Sequence, residues 1–301
     1  MNRQEYRFLL GERTALEKLL KQLPPSSVIE RVSLEARKKE VEETLKANPL
    51  PVHEPARAKL TFSGKPIVES YGIFAKFGAE ALEAFSDTIT AIGSSQRGPL
   101  GTRGTLPNRE DFDLLITGTA LGSFGFELEE LPKNPTFFPS PVETAIEKAK
   151  ALMEATVGSD DDLADAASET DPRVITALRS FLKKMADQEA ICAFEFKEKV
   201  FRFADVGQVR RSEERLSQEN IREDNSEITG VFQGVLPKRR TFEFVAENTE
   251  EVIFGKVGSE IDDAGQINHD LKIPVIIKVH KTQVGSGRPR YVLFAYERVS
   301  K

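Results

Sequence analysis

The chain has 301 residues, a formal net charge of −6, 30% charged residues and a single cysteine, Cys192. No segment approaches the ~20 consecutive apolar residues that a membrane-spanning helix needs, and one cysteine excludes an internal disulfide framework. Mild acidity argues against general coating of DNA but leaves room for a local basic patch. The start, MNRQEYRFLLGERTALEKLL, lacks the apolar region and cleavage site of a secretory signal, so a reducing, cytoplasmic setting is expected.

Residues 1–50 read as a helical hairpin. Leu9, Leu10, Leu16, Leu19, Leu20 and Leu23 lie along a first helix that Pro24-Pro25 stops. Ser26 or Ser27 can cap a second helix, which carries Val28, Ile29, Val32, Val41 and Leu45 among dense charge. The apolar spacing is too irregular for heptads. Such a hairpin either packs on its own chain or serves as a protein-docking or self-association element. A proline-rich connector, 49-PLPVHEPA-56, follows it.

Residues 57–222 read as an α+β core built on a repeated β-β-α unit. Residues 59–95 and 113–159 each carry a strand ending near a glycine, Gly64 and Gly118. Each then shows Ser–aromatic–Gly–apolar: Ser70-Tyr71-Gly72-Ile73 and Ser123-Phe124-Gly125-Phe126. Each closes with an amphipathic helix, one presenting Leu82, Phe85, Ile89 and Ile92, the other Val142, Ala145, Ile146, Ala149, Leu152 and Met153. Two such units predict a four-stranded antiparallel sheet with helices on one face. The segment 158-GSDDDLADAASETDP-172 reads as a solvated acidic linker. A helix with Val174, Leu178, Phe181, Leu182 and Met185 on one face comes next. A hairpin over 191–206 and a charged helix through QVRRSEERLSQENI then make a degenerate third unit over 191–222.

Residues 226–301 read as a small five-stranded β-barrel, with strands at 227–236, 241–246, 251–257, 273–281 and 290–297. Alternation is clean in Phe242/Phe244 and in Val275/Ile277/Val279. Between the third and fourth strands, GSEIDDAGQINHDLK reads as a short helix opened by Ser259. This β-β-β-α-β-β order resembles the OB-fold. The resemblance covers the last quarter of the chain and implies an oligonucleotide-binding face flanked by the loops after strands one and four.

Candidate chemistry is sparse. The glycines at 118, 122 and 125 match neither a Walker A loop, which needs a lysine and a following helix, nor GxGxxG, so they read as bends or bulges. The run 98-GPLGTRGTLPNRED-111, near Arg97 and Arg103, reads as a long loop. His53, His269 and His280 are scattered, and Asp160, Asp161 and Asp162 lack the pattern of a calcium loop, so no metal or cofactor is expected. Cys192 reads as a buried small hydrophobe.

The sharpest enzymatic hint is Glu195-Phe196-Lys197, whose first and third residues share a strand face. The pair resembles the Glu-x-Lys of magnesium-dependent nucleases of the restriction-endonuclease type, with Asp171 or Asp187 as the upstream acid. An exposed strand face paired across the hairpin is the simpler account, so the nuclease reading is kept but not favoured. The barrel supplies cations in two loops, Lys238, Arg239 and Arg240 in one, Arg288 and Arg290 in the other, with Tyr291 or Tyr296 available to stack on a base. Nearby acids include Glu247, Glu250, Glu251, Glu260, Asp262, Asp263 and Asp270. With no specific catalytic motif, the expectation is a non-catalytic binding or assembly protein. Its barrel loops would contact single-stranded nucleic acid or another polyanion, and its helices and core would contact protein. A nuclease centred on Glu195 and Lys197, and a purely protein-binding scaffold, are the alternatives.

Overall fold

Two helices lead the chain. In the first, α1 (Arg3–Gln22), and the second, α2 (Val28–Ala47), Leu16, Val41 and Leu45 form the buried seam, with Tyr6, Leu9, Leu10 and Leu34 beside them. Arg37 and Lys38 cross the seam to Glu12 (2.8 Å) and Glu17 (3.3 Å). Ser27 stands at the α2 N-cap, but its side chain makes no capping bond. The computed structural model describes residues 3–24, 27–48, 55–69, 71–101, 103–120, 124–131 and 138–299, and in it this hairpin is a compact unit by itself. Pro25, Ser26, the connector residues 49–54 with His53, Ser70, Gly122 and Ser123 lie outside the described residues.

The second unit begins with β1 (Arg57–Gly64), where Ala58, Leu60 and Phe62 are buried and Arg57 and Lys59 exposed. The chain continues through the two-residue strands β2 (Ile67–Val68) and β3 (Gly72–Ile73) into α3 (Ala75–Ser95). A hairpin follows, β4 (Leu114–Ala120) and β5 (Phe124–Glu130), then three helices, α4 (Pro141–Val157), α5 (Asp160–Ser168) and α6 (Pro172–Asp187). A second hairpin, β6 (Ala190–Phe196) and β7 (Lys199–Arg202), leads to α7 (Val206–Arg215). The sheet order is β4-β5-β1-β6-β7, with antiparallel neighbours throughout. Register aligns Leu60 with Phe126 and Phe194, and Phe62 with Phe124 and Cys192. Phe85 joins this layer to the helices, with its ring centroid 5.2 Å from Phe194 and 5.7 Å from Phe181. The opposite face is charged, with Lys59 flanked in register by Glu127 and Glu195.

Three expectations for the core need correction. The sheet has five strands, because β6 and β7 join it beside β1. The first β-β-α unit contributes only β1 to that sheet, and its second strand is the separate β2–β3 ribbon. The acidic linker is helix α5: Ser159 accepts from the Asp162 amide while the Asp162 carboxylate accepts from the Ser159 amide, a reciprocal capping box. The acids in its first turn also suit the positive end of the helix dipole. The charged helix α7 ends at Arg215, well before Ile221, where the next strand opens.

That strand, β8 (Ile221–Leu236), starts six residues before its expected first residue and pairs along its length with β11 (Pro274–Val284) or β9 (Thr241–Ala246). With β10 (Val252–Val257) and β12 (Arg290–Arg298) the strands close a ring, β10-β12-β11-β8-β9. Every pair in it is antiparallel except β10 with β12. Phe232 centres the interior against Phe244 (5.2 Å), Tyr296 (5.5 Å) and Phe242 (6.0 Å). The short helix before β11 is a 3-10 turn, Ala264–Asp270, capped by Asp263 rather than opened by Ser259.

Candidate functional site

The turn between β8 and β9 runs from Pro237 to Arg240. Lys238 and Arg239 are exposed at its tip, and neither has an ion-pair partner among the described residues. Arg240 behaves differently. Its φ of 49° turns the chain back, and its guanidinium donates to the carbonyls of Val257 (3.1 Å), Ile261 (2.6 Å), Gly258 and Asp262. A guanidinium so engaged is a brace for the segment after β10, not a free phosphate contact.

The loop between β11 and β12 lies against α5. Arg290 meets Asp165 (2.5 Å) and Asp161 (3.1 Å), and these bonds, Asp165 foremost, push its ionisation up. Lys256 on β10 pairs with Glu169 at the α5 C-cap, and Arg215 with Asp160 (2.9 Å). The run of aspartates therefore neutralises Arg290, one of the cations that the sequence offers for a ligand. Arg288 is exposed, and its carbonyl accepts from Arg290. Tyr291 is half-buried, and burial, with Glu251 nearby, pushes its phenol up. Burial likewise raises Tyr296, which donates to Asp270 at 3.0 Å. Lys238, Arg239 and Arg288 thus remain available, while Arg240 and Arg290 are held by other parts of the chain.

A residue missed by sequence reading lies beside this turn. Ile253 and Val257 point into the ring, so Phe254 points out and is 65% exposed. It sits opposite Glu243, one same-face position from the Thr241–Lys256 pair where the turn emerges. Period-two alternation in VIFGKV carries this signal, and the apolar character of Phe254 conceals it.

The Glu-x-Lys pair is not arranged as a shared strand face. Lys197 lies beyond β6 with φ of 49°, which ends the alternation. Its ammonium pairs with Glu147 (2.6 Å) and Glu143 of α4, and hydrogen bonds to those carboxylates raise its pKa. Glu195 instead accepts from Lys59 at 3.2 Å. Both residues line a cleft of about 260 Å³ with Arg57, Lys59, Glu127 and Glu129, where acids and bases are matched. Asp171 caps α6 and accepts from the Leu100 amide, and Asp187 pairs with Lys183. Among the described residues no three His, Cys, Asp or Glu side chains gather to hold a metal ion. The Cys192 thiol is buried and pushed up to about 12 by desolvation, far from the thiolate a nucleophile requires. No helix among the described residues is long and apolar enough to cross a membrane. Comparison with protein-family models, curated proteins and solved structures finds no match for this chain.

Proposed function

We propose that this chain is a non-catalytic binding and assembly protein whose C-terminal ring is an OB-like barrel receiving single-stranded nucleic acid. Numbered from β8, the ring runs one-two-three-five-four, its only parallel pair lies between strands three and five, and a short helix precedes strand four. OB-folds share this connectivity and use the outer face of strands two and three with the turn between strands one and two. The observation that carries the reading is the convergence of Lys238, Arg239 and exposed Phe254 on that face. Cations neutralise phosphates and an exposed ring stacks on any base. Glu243 beside Phe254 and the engagement of Arg290 by α5 make the surface a modest, sequence-tolerant binder. The helical hairpin supplies protein contacts.

The full chain is expected to bind labelled oligo(dT), with affinity falling steeply between ~50 and ~200 mM salt. Lys238→Ala with Arg239→Ala should weaken binding about tenfold and flatten the log–log salt slope by about 1.4, the share of two phosphate contacts on a single strand. Fluorescence anisotropy measures both. No binding at the lowest salt would favour the protein-binding scaffold, and an unchanged slope would move the contact elsewhere.

A further inference from the structure

The hairpin is underpacked for two twenty-residue helices. Among the described residues only Leu16, Val41 and Leu45 are buried between them, whereas Phe8, Leu19, Val28, Ile29 and Val32 are 48–86% exposed. Near its turn, Leu19, Leu23, Ile29, Ser33 and Leu34 line an open, largely apolar groove of about 550 Å³. An exposed apolar groove of this kind marks an interaction site.

Charge selects the occupant. In the half of the hairpin nearest the turn, α1 carries Lys18 and Lys21, and α2 carries Glu30 and Glu35. All four are exposed, and none has an ion-pair partner among the described residues. Further along, the charges are already matched within the hairpin, as in Arg37 with Glu12 and Glu40, and Lys38 with Glu17 and Glu42. Arg31, also on α2, is half-buried and donates to the Leu23 carbonyl at 3.2 Å, so the exposed unmatched charges level with the groove are cationic on α1 and anionic on α2. A two-fold axis parallel to the helices sets α1 of each copy antiparallel to α2 of the other. In the register the hairpin itself uses, Lys18 then comes level with Glu35 of the second copy and Lys21 with its Glu30.

We infer that the groove is filled by a second copy of this chain, the two hairpins forming a four-helix bundle sealed by Leu19 and Ile29 and flanked by these charge pairs. This rests on the protein-contact half of the function proposed above and identifies the partner. Bundles of antiparallel helices packed around such a seam are a stable solution for amphipathic pairs too short to stand alone.

The test uses the full chain in sedimentation equilibrium at micromolar concentration. The expected mass is twice 33.5 kDa. Leu19→Glu with Ile29→Glu should halve that mass with unchanged far-UV circular dichroism, since both positions are outside the buried seam. Lys18→Glu with Lys21→Glu, and separately Glu30→Lys with Glu35→Lys, should each shift the chain towards monomer, and an equimolar mixture of the two variants should restore the dimer. A monomeric wild type, or a mixture that stays monomeric, would overturn the inference. Oligo(dT) binding by the monomeric variants is measured in parallel, so that failure of the bundle and failure of the barrel face give different results.

Discussion

Gly125→Ala is expected to lower the free energy of unfolding by about 3 kcal/mol, whereas Gly72→Ala should change it by less than about 0.5 kcal/mol. The two glycines occupy the same place in the Ser–aromatic–Gly signature but not in the fold. A Cβ on Gly125 would lie 2.5 Å from the Cα of Thr61 and closer still to the Leu60 carbonyl oxygen. Those are backbone atoms of the central strand β1, which is held on its other side by β6, so neither can step aside. A Cβ on Gly72, in the β2–β3 ribbon, meets nothing within 4 Å. Urea denaturation of the two variants measures the difference. Equal effects would mean that the glycines are structurally equivalent after all.

Arg240→Ala is expected to cost a similar amount, about 3 kcal/mol, because hydrogen bonds from a charged donor are lost and carbonyls in the segment after β10 lose their partner. The Val257 and Gly258 residues it serves are buried, so water does not replace the guanidinium freely. Arg240→Lys should recover only part of the loss, since an ammonium cannot fork towards several carbonyls. Lys238→Ala with Arg239→Ala, one and two residues away, should leave stability within about 0.5 kcal/mol. Thermal and urea unfolding separate these cases. A fully stable Arg240→Ala chain would contradict the bracing role and return that arginine to the ligand surface.

The elements legible in the sequence are those whose side chains alternate cleanly. Phe242 and Phe244, or Val275, Ile277 and Val279, mark an inner face without help from elsewhere, and those strands lie close to where they are expected. The first six residues of β8 show no such pattern. Arg222, Glu223, Asp224 and Asn225 are all exposed, and the segment is a strand because its backbone pairs with β11. Helix α5 was obscured by its three leading aspartates, although Ser159 with Asp162 spelled a capping box and Leu163, Ala164 and Ala167 gave a buried stripe. The apparent repeat shows the converse error, local similarity without equivalent surroundings.

The candidate site divides along the same line. Charge is visible in a sequence, but its partner is not. Arg290 and Asp165 are 125 positions apart, and nothing local distinguishes that committed arginine from exposed Arg288. The carbonyl brace made by Arg240 is equally invisible, because backbone acceptors leave no residue signature. Phe254 was recoverable from alternation alone.

The absence of tryptophan from the chain makes the most direct test of the binding face simple. Phe254→Trp places a single indole on the outer surface of β10. Titration of the full-length variant with oligo(dT) at low salt should quench its fluorescence and shift its maximum, saturably and reversibly with added salt, as expected for an aromatic that stacks on a base. If the oligonucleotide binds by anisotropy while the indole emission stays unchanged, the β9–β10 face is not where nucleic acid sits.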